Sequence, residues 1–333
     1  MTFAVQAAIL VLIAASICGQ VPPSPPPGYQ FSSDGASLHI PVEVIANGLV
    51  FVQGKVNDHP GWFIVDNRTQ GFVVDRDYAG QVSLQGSTSA VTRGVGSDAS
   101  QVRIVQNVQI SLPGLELTHR NPLLIELKSL EPVLGHRVDG IIGSRLFDDF
   151  VVVVDYERHE LSIYTPRQFR PSGNEKSFSV RVDQHGFQFI DATIALPGAA
   201  PVTGSFLIDG GANYCASIYK PFSDAHRIPP PTMKFLDEPG AAQPRDGRVE
   251  RIDVGPCSIK DPPISFAQDR EGLMATKEYA GLIGAEFLER FRYSTIPENE
   301  SYSCRIGVTK TERNTTRVAG EFGRRPQTFT GSS

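Results

Sequence analysis

Two short stretches decide the fold of this chain: WFIVDNRTQ at residues 62–70 and SFLIDGGAN at residues 205–213. In each, a run of apolar, β-branched or aromatic residues, typical of a buried strand, stops at an aspartate. These aspartates are Asp66 and Asp209, 143 positions apart. A single aspartate after a strand is usually a turn-capping residue, but the same arrangement in both halves indicates a repeated unit.

Sequences that flank the two stretches repeat in the same order. NGLVFVQGKV at 47–56 corresponds to HGFQFIDATI at 185–194, and DGIIGSRLFDDF at 139–150 corresponds to AGLIGAEFLERF at 280–291. The glycine motifs of the second pair are 141 positions apart, nearly the spacing of the aspartates. Three matches in one order at a nearly constant offset predict two homologous lobes.

Strand signals dominate the remaining sequence. Short runs rich in Val, Ile and Phe, separated by Gly, Pro, Asn and Asp, recur in both halves, whereas helix signals are limited to SRLFDDF and AEFLERF. We therefore predict an all-β, bilobal protein whose β-barrel-like lobes, residues 35–168 and 175–308, carry only short helices. A chain of 333 residues that is 40% hydrophobic can bury a core in each lobe.

The N-terminal region has the features of an export signal. Residues 1–20 contain an apolar run too short to span a bilayer comfortably, followed by small residues; an uncleaved membrane anchor is the alternative. A proline-rich spacer at 21–34 is expected to be extended and unpacked, and 309–333 to be a disordered tail. We expect a periplasmic or extracellular protein. Lipid attachment through Cys18 would need a cleavage site that accepts a bulky isoleucine.

Charge and cysteine content exclude several classes of protein. The net charge is -5 and the folded region has no Lys/Arg cluster, so a nucleic-acid partner is not expected. Beyond the signal lie three cysteines, Cys215, Cys257 and Cys304. Export permits disulfides, and we expect Cys257 to pair with Cys304, but an odd count leaves at least one thiol over.

Metal and cofactor signatures are also missing from the sequence. Neither the cysteines nor the seven histidines have the spacing of metal ligands. The glycine-rich segment at 94–99 precedes a strand-like run instead of the helix that a dinucleotide loop requires. We therefore expect no metal and no cofactor.

A pair of aspartates, one per repeat, has a specific chemistry if the side chains meet between the lobes. Two carboxylates that face each other across one water cannot both ionise easily, so they share a proton. The ionised partner then accepts a proton from the water as it attacks a carbonyl carbon. The protonated partner hydrogen-bonds the carbonyl oxygen and passes its proton toward the leaving amine.

The order of these motifs resembles the aspartic peptidases, and most of all the exported retropepsin-like and pepsin-like aspartyl proteases of bacteria. In that family each lobe carries Asp-Thr-Gly-Ala-Ser or a variant, followed by a hydrophobic glycine segment that packs beside it. The resemblance covers residues 38–308. It implies a bilobal acid-protease-like fold, Asp66 and Asp209 as the catalytic pair, a monomer, and a peptide or unfolded protein as substrate.

The same resemblance implies supporting residues around the pair. A hairpin at 86–105 would be the flap of the first lobe, where backbone pairing holds an extended peptide. The residues that would support the pair or the substrate are Asn67, Arg68, Thr69, Gly210, Gly211, Ala212, Gly94 and Gly96.

The residues beside the aspartates depart from the family pattern. Asn67 and Gly210 stand where the family has threonines whose hydroxyls bond across the lobes; Asn67 can replace one, but Gly210 has no side chain. Arg68 stands where the family has a glycine that permits close approach. If Arg68 points inward, it pairs with an aspartate and lowers its pKa; if it points outward, only the backbone geometry is affected.

Three functions stay open from the sequence. The first is peptide-bond hydrolysis by the aspartate pair. The second is a degenerate peptidase that binds peptides or a protein partner in the cell envelope without cutting, and the third is a structural envelope protein tethered by the spacer. Retention of both aspartates favours the enzyme, whereas Arg68 and Gly210 favour the binding module.

Overall fold

The computed structural model describes residues 28–32, 37–84, 88–93, 99–170, 176–183, 186–228, 245–255, 257–269, 272–298 and 301–308. This part of the chain is mostly β-strand, and its strands form two curled half-barrel sheets, which agrees with the all-β prediction. No helix within these ranges is long and apolar enough to cross a membrane. The predicted signal and tail lie outside the described residues.

The first half of the chain contains strands β1 to β13 and three short helices. The strands are β1 (Gly28–Phe31), β2 (Ser37–Ile45), β3 (Leu49–Val56), β4 (His59–Val65), β5 (Phe72–Asp75), β6 (Thr88–Arg93), β7 (Ala99–Ile104), β8 (Val108–Leu112), β9 (Leu115–Arg120), β10 (Leu123–Ile125), β11 (Gly140–Ile142), β12 (Val151–Asp155) and β13 (Glu160–Tyr164). The helices are α1 (Arg76–Gln81), α2 (Glu131–Leu134) and α3 (Ser144–Asp149), with a 3-10 turn at Lys128–Leu130.

The second half contains strands β14 to β24 and two short helices. The strands are β14 (Lys176–Val182), β15 (Gln188–Ala195), β16 (Val202–Ile208), β17 (Ala216–Ile218), β18 (Arg245–Arg248), β19 (Arg251–Val254), β20 (Cys257–Lys260), β21 (Pro263–Phe266), β22 (Gly281–Ile283), β23 (Phe291–Glu298) and β24 (Ser301–Val308). The helices are α4 (Lys220–Ala225) and α5 (Ala285–Leu288), with a 3-10 turn at Leu273–Ala275.

The two halves pair their strands in the same way. In the first half, β11 lies between β4 and β5, parallel to β4 and antiparallel to β5. In the second half, β22 lies between β16 and β17 with the same directions. The parallel pairing of β10 with β5 likewise matches that of β21 with β17. The repeat that the sequence predicts is therefore also a repeat of strand topology.

Glycines of the two repeated motifs permit a close approach of backbones. A Cβ atom on Gly143 would lie 2.2 Å from the carbonyl oxygen of Thr69, and one on Gly284 would lie 2.1 Å from that of Tyr214. Real Cβ atoms do not approach an oxygen so closely, so any side chain would push the two backbones apart. These glycines precede α3 and α5, which the sequence predicts, and they hold the loop after each aspartate in place.

A third sheet joins the halves. It is antiparallel, with the order β2, β13, β12, β23, β24, β14. At its centre β12 pairs with β23, with Val153 opposite Ser294, and the strands on either side are equivalent in the two halves. An approximate twofold axis therefore passes between β12 and β23. The sequence predicted separate lobes and did not reveal this shared sheet.

Part of the predicted spacer is structured. Residues Gly28–Phe31, which the sequence analysis placed in an unpacked stretch at 21–34, form β1 and pair with β9. The rings of Tyr29 and Phe31 pack edge-on against Phe150, and these aromatic contacts stabilise the strand although Tyr29 stays half exposed. The prediction was wrong for these four residues, since it gave the prolines more weight than the aromatic side chains that follow them.

The region predicted as a flap contains a hairpin. Strands β6 and β7 are antiparallel, with Thr88 opposite Ile104 and Arg93 opposite Ala99. Gly94 and Gly96 lie outside the described residues. The hairpin agrees with the predicted strand pairing, whereas its role as a flap stays a prediction.

Of the cysteines, Cys215 is a free thiol buried directly before β17. This agrees with the odd number of cysteines beyond the signal. The pairing of Cys257 with Cys304 stays a prediction.

Candidate active site

Asp66 and Asp209 occupy equivalent, buried positions at the ends of β4 and β16. The backbone N–H of Asp66 donates to the carbonyl of Ile142 at 3.0 Å, and that of Asp209 donates to the carbonyl of Ile283 at 2.9 Å. Their residues are only 2% and 1% exposed. The strands β11 and β22 thus fix the backbone of both aspartates in the same way.

The carboxylate of Asp66 is held by its own loop and contacts the other half of the molecule. Its Oδ1 accepts a hydrogen bond from the backbone N–H of Arg68 at 2.7 Å, and its Oδ2 accepts one from the Thr69 hydroxyl at 2.7 Å. On the opposite side, a Cβ atom at Gly211 would lie 2.5 Å from the Asp66 Cγ. The two aspartate loops therefore meet, and only glycine fits at position 211.

The carboxylate of Asp209 has fewer partners. Its Oδ1 accepts a hydrogen bond from the backbone N–H of Gly211 at 3.0 Å. Its Oδ2 is buried and has no hydrogen-bond partner among the described residues. The nearest cation is Arg68, whose Nε lies 3.6 Å from this oxygen, an ion-pair distance that is too long for a hydrogen bond.

Asn67 connects the two halves through its side-chain amide. Its Nδ2 donates to the carbonyl of Ile208 at 3.0 Å, and its Oδ1 accepts from the backbone N–H of Gly210 at 2.8 Å. The sequence predicted that Asn67 can replace one of the two bridging threonines. Its hydrogen bonds agree with that role, and because Gly210 has no side chain, it contributes only its backbone.

Arg68 points inward, which the sequence left open. Its residue is 3% exposed, and the guanidinium carbon lies 4.6 Å from the centroid of the Phe187 ring in the second half. Both terminal nitrogens, Nη1 and Nη2, are buried without a hydrogen-bond partner in the part of the chain that the structure describes. A full positive charge thus lies beside Asp209 in aromatic surroundings.

Burial controls the ionisation of the two aspartates. It raises the pKa of Asp66, although the Thr69 hydroxyl, the Arg68 N–H and the Arg68 charge act in the opposite direction. Burial also raises the pKa of Asp209, and the negative charge of Asp66 adds to this effect. Arg68 lowers both pKa values, as predicted for an inward position, but loss of hydration outweighs it.

Backbone hydrogen bonds hold the two aspartate loops in place. The carbonyl of Ala212 accepts a hydrogen bond from the N–H of Ala285 at 2.7 Å, and that of Thr69 accepts one from Ser144 at 2.7 Å. These bonds attach each aspartate loop to the helix that follows the glycine motif. Thr69, Gly210, Gly211 and Ala212 are therefore all part of the site.

Sequence reasoning missed the aromatic residues around Arg68. The ring of Phe187 is buried against its guanidinium, and the charge of Arg68 lowers the pKa of buried Tyr219 against the dominant effect of burial. A signal was present in the repeat, since Phe187 corresponds to Leu49 when the stretches at 47–56 and 185–194 are aligned. A larger side chain at one of two equivalent positions marks a local difference between the halves.

Comparison with protein-family models gives no match, and comparison with curated proteins gives none. The functional conclusion therefore rests on the residues of the site. These are two buried carboxyl groups whose charges act on each other, an amide that bridges the halves, and a buried guanidinium.

Proposed function

We propose that this chain is an aspartic-type endopeptidase of acid-protease-like fold, in which Asp66 and Asp209 activate a water that hydrolyses a peptide bond. The observation that carries the proposal is the burial of two carboxyl groups at equivalent strand ends, close enough that the charge of Asp66 raises the pKa of Asp209. Such a pair holds one proton over a wide pH range, which general acid and base catalysis requires.

The surroundings of the two carboxyls support different roles for them. Asp66 accepts hydrogen bonds from the Arg68 N–H and the Thr69 hydroxyl, and both bonds stabilise its ionised form. Asp209 accepts one bond at Oδ1, and its Oδ2 has no donor among the described residues. We therefore assign the shared proton to Asp209.

The proposed reaction follows from this assignment. Asp66 removes a proton from the water while the water oxygen bonds to the carbonyl carbon of the peptide. Asp209 transfers its proton to the carbonyl oxygen. Collapse of the resulting gem-diol re-forms the carbonyl and breaks the C–N bond, while Asp66 delivers its proton to the leaving amine. Asp209 recovers its proton from the second hydroxyl, so the site returns to its starting state.

The rest of the molecule supports an extended substrate. Strand β7 of the β6–β7 hairpin also pairs with β10, so the outer edge of β6 is the edge to which a peptide backbone can add, giving affinity that does not depend on side chains. An unfolded protein or a peptide outside the cytoplasm is the substrate that we propose, consistent with the export signal expected from residues 1–20. The hydrogen bonds of Asn67 keep the two aspartates in register.

One observation favours the second function, a peptide-binding module without catalysis. The Nε of Arg68 lies 3.6 Å from the Asp209 oxygen that would donate the proton, and the family pattern has glycine at this position. A guanidinium there favours ionised Asp209, which cannot act as the acid.

The deciding experiment is a cleavage assay from about pH 3 to 7, the range in which carboxylate pairs operate. Purified protein is incubated with a reduced, carboxymethylated protein substrate, beside Asp66→Asn and Asp209→Asn. Asp253→Asn is the control, since Asp253 pairs with Arg251 in the second half. The proposal expects each dyad substitution to lower the rate at least about 100-fold, with no effect of the control. If folded protein cleaves nothing at any pH, the hydrolytic function is rejected and the peptide-binding function is favoured.

A further inference from the structure

We propose that Arg68 forms a subsite that binds a carboxylate group of the peptide, either its free C-terminus or an Asp or Glu side chain. The inference rests on the proposed function for the presence of a peptide beside the two aspartates. It adds a substrate class, since it states which chemical group lies beside Asp209.

The first observation is the unsatisfied guanidinium. Arg68 is 3% exposed, and neither Nη1 nor Nη2 has a hydrogen-bond partner in the described residues. An unpaired buried polar group costs roughly 1–3 kcal/mol, and more if it is charged, so native proteins rarely leave one without a function. These nitrogens are therefore positioned for a group that is supplied from outside the chain.

The second observation is the orientation of that guanidinium. Its Nε faces Asp209 Oδ2 at 3.6 Å, so Asp209 interacts with one edge and leaves the two terminal nitrogens available. Asp66 does not bond to them either: its oxygens accept from the Arg68 N–H and the Thr69 hydroxyl, and neither terminal nitrogen has a partner in the described residues. The free edge has the planar, two-donor geometry that matches a carboxylate.

The third observation is the wall around it. The ring of Phe187 lies under the guanidinium, and this contact fixes the plane of the donors. Tyr219 is fully buried, its hydroxyl has no partner among the described residues, and the charge of Arg68 acts on it.

These donors favour one kind of anion. A water molecule can satisfy the hydrogen bonds but does not use the planar pair of donors. A doubly charged phosphate would be repelled, since two carboxyl groups lie beside the single cation. A singly charged, planar carboxylate fits both the geometry and the charge.

The subsite is close to the reacting atoms. With Nε 3.6 Å from Asp209, a carboxylate on the terminal nitrogens lies within about two residues of extended chain from the dyad. The peptide bond that reacts would therefore be near a C-terminus or near an acidic residue.

The test measures binding apart from cleavage. The probes are the capped peptide acetyl-Leu-Phe-Ala-Leu as free acid and as C-terminal amide, and acetyl-Leu-Phe-Ala-Glu amide with its Gln counterpart. Each is titrated by calorimetry into Asp66→Asn protein, which retains Arg68, Asp209 and Tyr219 but lacks the proposed base. The same titrations are repeated with Arg68→Met and with Arg68→Lys, each combined with Asp66→Asn. Arg251→Met, also combined with Asp66→Asn, is the charge-matched control, because it removes an exposed arginine of the second half.

A carboxylate subsite predicts that one acidic peptide binds more tightly than its neutral counterpart, on the order of 10- to 100-fold. The free-acid pair reports a C-terminal carboxylate, and the Glu/Gln pair reports a side chain. Arg68→Met abolishes the difference, Arg68→Lys retains part of it, and Arg251→Met leaves it unchanged. Equal binding of all four peptides to protein with a native melting transition would overturn the inference, even if wild type cleaves. The acidic preference without any cleavage by wild type would retain the subsite and reject hydrolysis.

Discussion

The side-chain oxygen of Asn67 accepts a hydrogen bond from the backbone N–H of Gly210 at 2.8 Å, and this bond connects the loops that carry the two aspartates. The amide nitrogen of Asn67 completes the link by donating to the carbonyl of Ile208. A side chain from the first half thus links both halves at the site, and to these two bonds the second half contributes backbone atoms.

Replacement of this amide should destabilise the fold. Asn67→Ala removes both hydrogen bonds and leaves the buried Gly210 N–H without its acceptor, so we expect the free energy of unfolding to fall by about 2–4 kcal/mol. Denaturant titration measures it. Asn121→Ala is the control, because Asn121 accepts an exposed bond from Asn107 and its loss should cost no more than about 0.5 kcal/mol. Equal effects of the two substitutions would contradict the bridging role.

Addition of one methyl group at Gly211 should disturb the site. In Gly211→Ala the new Cβ would lie 2.5 Å from Asp66 Cγ, which forces the carboxylate or the loop to move. We expect a loss of about 1–3 kcal/mol in stability, and a loss of any cleavage activity beyond that explained by unfolding. Gly80→Ala, within α1, is the control. Its new Cβ meets nothing within 4 Å, so the substitution should raise the free energy of unfolding by up to about 1 kcal/mol. If Gly211→Ala changed neither stability nor activity, the two loops would not be in contact.

The raised pKa of Asp209 makes stability depend on pH with a defined sign. Between the unfolded value of 3.8 and the folded pKa, the folded protein binds more protons than the unfolded chain, so this group destabilises the fold increasingly as pH rises. The melting temperature of Asp209→Asn minus that of wild type should therefore become more positive from pH 4 to 8. Asp253 has a lowered pKa, so the difference for Asp253→Asn should be constant above pH 5. A constant difference for Asp209→Asn would exclude a raised pKa.

Removal of the Arg68 charge should move the pH range of catalysis upward. Arg68 lowers the pKa values of Asp66 and Asp209, so in Arg68→Met the pair keeps its shared proton to higher pH. The high-pH limb of the kcat/KM profile should shift to higher pH, whereas Arg68→Lys, which retains the charge, should stay near wild type. A limb that moves downward in Arg68→Met would mean that the guanidinium does not act on the pair electrostatically.

The sequence predicted the parts of the fold that local patterns encode. Apolar runs that end at Asp66 and Asp209, together with the repeated glycine motifs, predicted equivalent strand ends, and the pairing of β11 and β22 agrees with this. The central sheet was not predicted because the pairing of β12 with β23 joins segments about 140 residues apart, and strand patterns do not specify partners.

At the site, residue types were predictable but the direction of Arg68 was not. The amide of Asn67 has the donor and acceptor that a bridge needs, so its role could be stated in advance. Whether Arg68 points inward depends on space and on an aromatic surface in the other half, which Phe187 provides. In the aligned repeats this aromatic surface is visible only as Phe187 in place of Leu49. That Phe187 contacts Arg68 depends on tertiary packing, which the sequence pattern does not specify.

The approximate twofold axis between β12 and β23 shows what a single chain gains over two identical subunits. A symmetric dimer of the first half would bring two guanidinium groups to the pair of carboxyls, and a symmetric dimer of the second half would have no side-chain bridge, since Gly210 would face Gly210. In the single chain, one cation (Arg68) and one bridging amide (Asn67) lie at the pair of carboxyls, and both come from the first half. The different surroundings of Asp66 and Asp209 therefore require two copies whose sequences differ, which a single chain can contain.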